Sequence, residues 1–112
     1  MPYNPGMITH PERNEIHLEG VLHALSDPVR LGIVRELAEA GGERRCGSFA
    51  HAVTKSTMTH HFKVLREAGV ILQRQEATLR LTSLRREDLD TRFPGLLDRI
   101  LEAAEDEAVV GA

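Results

Sequence analysis

Residues Lys55 to Gly69, KSTMTHHFKVLREAG, decide the fold. Met58, Phe62 and Leu65 recur at steps of four and three, the period that lines one face of a helix, so the segment is predicted to be helical with these three anchored in a core. Thr59, His60 and Lys63 then share the opposite edge, whose chemistry suits contact with DNA. Ser56 or Thr57 caps the first turn by accepting a bond from an orphan backbone amide, and Gly69 supplies the left-handed residue that ends a helix. His61 lies between Met58 and Leu65 and is assigned to the core side. Arg66 and Glu67 come a turn or more later and are read as partners in internal ion pairs.

Upstream of this helix, Asn14 is expected to cap a helix from Glu15 to Leu25, whose Leu18, Val21, Leu22 and Leu25 form an apolar stripe. Ser26-Asp27-Pro28 reads as a stop and restart, because a carboxylate suits the N-cap and proline suits the first helical position, where no amide bond is lost. The next helix runs from Pro28 to Ala40. Its Val29, Leu31, Ile33, Val34, Leu37 and Ala38 make it the most apolar and therefore the central one. Gly41-Gly42 ends it, and Glu43 to Gly47 form a charged connection. Ser48 is expected to cap a short helix through Val53, with a tight turn at Thr54-Lys55. Two short helices so joined, the second with a polar outer face, form a helix-turn-helix pattern, here without the usual glycine in its turn.

Downstream, Val70 to Gln75 and Thr78 to Ser83 predict an antiparallel hairpin about Glu76-Ala77, a connection without the Asn-Gly or Asp-Gly pair that favours a two-residue turn. Arg85 to Phe93 is read as a helical turn or short helix. Pro94 starts a final helix to Ala108, with Leu96, Leu97, Ile100, Leu101 and Ala104 on its buried side. The fold class is thus mainly α with a small antiparallel β-hairpin, a winged helix-turn-helix. Residues 1–13, with three prolines and a glycine, form a flexible N-terminal arm. Residues 14–108 form the DNA-binding and dimerisation domain, and 109–112 a C-terminal tail.

At 112 residues the chain fits one domain. No apolar run approaches the ~18 residues needed to cross a bilayer, and no secretory leader opens the chain, so a cytoplasmic protein with no membrane partner is expected. The lone Cys46 forms no intramolecular disulfide, which fits a reducing compartment. A net charge of −3 argues weakly against a nucleic-acid partner, but the charge is unevenly spread. Residues 44–66 contain Arg44, Arg45, Lys55, Lys63 and Arg66 with no acid, whereas residues 98–108 set Asp98, Glu102, Glu105, Asp106 and Glu107 against Arg99 alone. The positive block coincides with the quoted helix. The acidic stretch from Glu102 to Glu107 is either a solvated face or a surface for an additional protein partner. An enzyme is not expected, because the chain has no Gly-rich phosphate loop and no nucleophile beside an obvious base.

Two stretches, ALSDPVRLGIVRELAEA from Ala24 to Ala40 and KSTMTHHFKVLREAGVI from Lys55 to Ile71, resemble the ArsR/SmtB family of bacterial winged-helix regulators. The resemblance implies a sequence-specific transcriptional regulator, a homodimer on a palindromic operator that is released or rearranged by an inducer, often a metal ion. It also implies a dimer interface from the first and last helices, here Leu18, Val21, Leu22, Leu97, Ile100, Leu101 and Ala104. The residues alone place these stripes equally well in an intramolecular core. The chain departs from the family at its metal sites. The Cys-x-Cys positions fall on Glu43 and Arg45, one place short of Cys46, and the last helix carries no histidine. The hairpin is short, with acidic Glu76 at its tip, which leaves Arg74 and Arg80 as wing contributors.

The expected DNA-binding set is therefore Lys55, Ser56, Thr57, Thr59, His60, Lys63, Arg74 and Arg80. Thr59 and His60 meet base edges, and the others meet phosphate or base. The alternative is a winged-helix protein-interaction module without direct DNA readout, motivated by the negative net charge and the acidic hairpin tip. His10, His17, Cys46 and His51 are the candidate ligands for a divalent transition metal, Ni, Zn or Co, acting as effector, since imidazole and one thiolate suit these ions. No pair among them has the i, i+4 spacing of two ligands on one helical face. Cys46 beside Arg44 and Arg45 is otherwise either a reactive thiolate or an incidental cysteine.

Overall fold

In the computed structural model, which describes residues 8–49 and 53–110, the chain runs α1 (Leu18–Ala24), α2 (Pro28–Ala40), β1 (Arg44–Arg45), α3 (Lys55–Glu67), β2 (Ile71–Glu76), β3 (Leu79–Leu84), α4 (Arg86–Arg92) and α5 (Leu96–Val110), with 3-10 turns at Arg13–Glu15 and Cys46–Ser48. The central helix forms as its punctuation requires. The Asp27 carboxylate accepts from the amides of Val29 (2.8 Å) and Arg30 (3.1 Å), Pro28 opens the first turn, and Gly41 closes the helix at φ 71°. Ile33, Val34 and Leu37 are buried on one face and share a core with Ile16, Ala24, Phe62, Leu65, Val70, Ile71 and Leu89.

Arg30, which periodicity does not single out, joins three helices. It is buried, its Nε donates to the Ala24 carbonyl (2.7 Å) and its Nη2 to the His23 carbonyl (3.2 Å). These carbonyls end α1, and that of His23 also accepts the Ser26 amide (3.1 Å) and hydroxyl (2.6 Å). Its Nη1 meets Nδ1 of His61 at 3.3 Å. A guanidinium only donates, so Nδ1 accepts and the ring proton sits on Nε2, which lies 4.0 Å from Asp27 Oδ1. His61 is buried and structural, as expected.

The first helix departs from expectation. It begins at Leu18 rather than Glu15, after a 3-10 turn in which Glu15 Oε1 accepts the amide of Glu12 (2.8 Å). The cause is tertiary: Arg92 donates twice to the Ile16 carbonyl (Nη2 2.7 Å, Nε 3.2 Å), occupying the group that a continuous helix would use, and Ile16 is fully buried. Of the arm expected to be flexible through residue 13, residues 10, 11 and 13 make contacts to the fold, and residues 1–7 lie outside those described. His10 Nε2 accepts the amide of Gln73 at 2.9 Å, Pro11 gives its carbonyl to Arg85 Nη1 at 2.7 Å, and Arg13 pairs with Asp88 at 2.6 Å.

Burial lowers the affinity of His10 for a proton, and the nearby Arg85 and Arg66 lower it further. The folded chain thus binds this proton more weakly than the unfolded one, so the contribution of His10 is complete above its ordinary pKa of 6.5 and is lost as the pH falls below it. In urea melts from about pH 7.5 to about pH 5.5, the wild type is expected to lose more stability than His10→Gln. Parallel losses would remove His10 from the account.

The sheet has three antiparallel strands in the order β1-β3-β2, one more than the hairpin expected. β1 pairs Arg44 with Thr82 and Arg45 with Leu81, within the stretch read as a connection. In the hairpin Ile71 lies opposite Leu84 and Glu76 opposite Leu79, so the turn is Ala77-Thr78, one residue later than predicted. Burial sets this register: Ile71 and Gln73 face inward, and a one-residue slip would turn both outward. Ala77 takes φ 54° to close the turn.

Three further boundaries differ. Thr54, not Ser56 or Thr57, caps α3, accepting the Thr57 amide at 3.2 Å, because the helix already begins at Lys55. No helix starts at Ser48, whose hydroxyl donates back to the Arg45 carbonyl (2.6 Å) and closes a 3-10 turn; the rest of the short helix expected there falls largely on residues 50–52, outside those described. The last helix starts at Leu96, after a Pro94-Gly95 turn with Gly95 at φ 80°, and continues to Val110 through part of the expected tail.

Candidate nucleic-acid interface

α3 presents two faces. His61, Phe62 and Leu65 are buried and Met58 is half-buried, while Lys55, Ser56, Thr57, Thr59, His60 and Lys63 are all exposed. The first turn carries linked hydroxyls, with Thr54 Oγ1 3.2 Å from Ser56 Oγ and 2.8 Å from Thr57 Oγ1. Thr59 donates its hydroxyl proton to the Lys55 carbonyl (3.0 Å), so it offers lone pairs and a methyl group outward. His60 has no hydrogen bond among the described residues, and its ring centroid stands 6.0 Å from that of His61.

Ion pairing sorts the cations. Arg13, Arg44, Arg74, Arg85, Arg86 and Arg99 each have a carboxylate within 4.0 Å. Lys55, Lys63, Arg45 and Arg80 have none among the described residues. Lys55, Lys63 and Arg80 belong to the expected DNA-binding set, Arg45 to the positive block alone, and all four line one continuous face. A cleft of about 230 Å³ between α3 and the hairpin is bounded by Lys55, Thr59, Lys63, Arg66 and Arg80 over Met58 and Phe62. A groove of about 500 Å³ carries on from it past Arg45, Ser48, Lys55 and Arg80 to the hairpin tip.

Arg74, expected to act from the wing, is instead held by Glu43 (2.6 and 2.9 Å) and Glu76 (2.7 Å). The hydrogen bond from Arg74 also keeps the Glu43 carboxyl below the usual carboxylate range. Phosphate at Arg74 therefore competes with two carboxylates. Arg66, read as an ion-pair partner, has no carboxylate within 4.0 Å among the described residues. Its Nη1 donates to Gln73 Oε1 at 2.7 Å, and buried Gln73 in turn donates through Nε2 to Cys46 Sγ (3.2 Å) and Thr82 Oγ1 (3.3 Å). This network, unseen in the sequence because its members lie on four separate elements (α3, β2, β3 and the 3-10 turn at Cys46), ties α3 to the sheet.

The metal candidates are not brought together. His10 spends its Nε2 lone pair on Gln73, Cys46 Sγ lies 3.0 Å from Thr82 Oγ1, His17 is exposed at the start of α1, and His51 lies outside the described residues. Among the described residues no three His, Cys, Asp or Glu side chains are grouped to hold a metal ion. Of the dimerisation candidates, Val21 and Leu97 go into the chain's own core, at 2% and 3% exposure. Ala104 is also buried and Ile100 and Leu101 are half-buried, whereas Leu18 and Leu22 stand open at 43% and 47%.

Comparison with known proteins bears on the same elements. A family model described as a helix-turn-helix domain matches residues 25–74, the span from the end of α1 into β2. The uncharacterized HTH-type transcriptional regulator YceK of Bacillus subtilis is 38% identical over 82 residues, covering 71% of this chain and 82% of that protein. A crystal structure of an ArsR family transcriptional regulator superposes with a TM-score of 0.62 at 22% identity, over 79% of this chain and 96% of the other. The transcriptional repressor BigR from Xylella fastidiosa gives a TM-score of 0.55 at 28% identity, over 68% and 85%.

Proposed function

Because this chain belongs to the helix-turn-helix transcriptional regulators and has the winged fold of ArsR-family members, we propose that it acts as a homodimer on a palindromic operator. Thr59 and His60 read base edges in the major groove, while Lys55, Ser56, Thr57, Lys63 and Arg80 hold the backbone. Arg74 contributes against the competition of its two acids. One observation carries this reading: among the described residues, exposed cations free of carboxylates gather around the outward face of α3 and the adjoining hairpin. Phosphate there competes with solvent alone.

Leu18 and Leu22, one helical turn apart on α1, supply the apolar surface for the second copy. Two-fold symmetry then sets two α3 helices about one DNA turn apart. The acidic hairpin tip, which favoured a protein-interaction module, is accounted for by the pairing of Glu76 and Glu43 with Arg74.

Fluorescence anisotropy on inverted repeats taken from upstream DNA tests the proposal. The expected result is two chains per duplex, with affinity falling steeply as salt rises. Failure to bind any such fragment at low salt, or saturation at one chain per duplex, sinks it.

A further inference from the structure

We propose that Arg45 on β1 is an additional contact to the DNA backbone, extending the interface from the recognition helix onto the edge of the sheet. This rests on the DNA-binding reading above. Adjacent strand residues point to opposite faces, and here that alternation separates two arginines by role. Arg44 is committed inward: its guanidinium lies 4.5 Å from the centroid of the Phe49 ring, 3.8 Å from Glu36, and donates to the Ser48 carbonyl at 3.0 Å. Arg45 is exposed and has no carboxylate within 4.0 Å among the described residues.

Its backbone is nonetheless fixed. Pairing with Leu81 of β3 holds one side, and the Ser48 hydroxyl bonds the Arg45 carbonyl at 2.6 Å. The side chain therefore starts from a rigid point on the wall of the groove of about 500 Å³ that Lys55 and Arg80 also line, and no acid lines that groove. Lys55 is the first residue of α3, so the positive end of the helix faces the same space. Three cations along an open, acid-free groove match a repeating polyanion in extended form. A DNA strand leaving the start of α3 toward the hairpin tip passes Arg45.

The test compares wild type, Arg45→Ala, Arg45→Lys and Arg35→Ala for binding to an operator duplex and an unrelated duplex across a salt series. Arg35, on α2, lines a different hollow with Ala38 and Leu101 and controls for the loss of one charge. Arg45→Ala is expected to lower the slope of log affinity against log salt by about 0.9 for each bound chain, equally on both duplexes. Its deficit relative to wild type then shrinks about three-fold per chain between about 50 and about 200 mM salt. Arg45→Lys retains the slope and Arg35→Ala leaves it unchanged. An unaltered slope in Arg45→Ala, or an equal change in Arg35→Ala, overturns the proposal while leaving the DNA reading intact. A wild type that binds neither duplex overturns both.

Discussion

Gly69→Ala is expected to destabilise this protein by about 2 to 5 kcal/mol, a large share of the 5–15 kcal/mol that holds a domain together. Two separate costs add. Gly69 ends α3 at φ +83°, a left-handed conformation that costs an L-residue about 1–2 kcal/mol. A Cβ built there also meets Ile16, at 2.5 Å from Cγ1 and 2.9 Å from Cδ1. Ile16 has no room to yield, being fully buried with its carbonyl clamped by Arg92, and forced overpacking costs about 1–3 kcal/mol more.

The measurement is the urea midpoint of the purified variant. A double-variant cycle with Ile16→Ala separates the terms. Ile16→Ala alone leaves a cavity worth about 2–5 kcal/mol, but in the Gly69→Ala background it also removes the clash, so the double variant should be more stable than the two single losses predict. Additive losses would mean that the two residues do not touch. A Gly69→Ala protein within about 0.5 kcal/mol of wild type would falsify the packing described for this corner.

The same pair shows where the sequence is readable. Gly69 announces itself as a helix end, because the signal is local and concerns one residue's conformation. Ile16 does not, because only Arg92, 76 residues away, removes it from the helix its neighbours favour. The bounds of α2 were legible for the first reason: Asp27, Pro28 and Gly41 act within a turn of themselves. β1 was not, since two adjacent arginines carry no period and become a strand only by bonding the open side of β3. The hairpin was visible as alternation, but its turn came out one residue early because the inward placement of Ile71 and Gln73 fixes the register.

At the interface, the outward edge of α3 follows from one helix's periodicity and is therefore readable. Which arginines are free is a tertiary matter. Arg74 and Arg45 look equally available in the sequence, yet Glu43, 31 residues from Arg74, takes one of them while the other stays open. The cap at Thr54 was missed by a smaller margin, since three hydroxyl residues stand within four positions and each can serve.

Replacing His60 and Lys63 together by alanine is expected to weaken operator binding by about three orders of magnitude or more, since a dimer loses four contacts and the low end of the ~1–3 kcal/mol that each is worth already sums to about 4 kcal/mol. The fold should survive. Both side chains are exposed, neither makes a hydrogen bond or ion pair among the described residues, and alanine favours the helix at least as well as the residues it replaces. Unchanged thermal melting therefore accompanies the loss, which separates recognition from stability. The single variants divide the effect by mechanism. Lys63→Ala should weaken operator and unrelated DNA alike and reduce the salt slope by about 0.9 per chain, as a lost phosphate contact does. His60→Ala should leave the slope alone and relax preference at one base pair in each half-site, as a lost base contact does. Anisotropy titrations on the operator and on duplexes varied at single positions read both outcomes. Should the double variant bind within two-fold of wild type, the outward face of α3 does not read the DNA, and the free cations of the hairpin and β1 would have to carry binding without it.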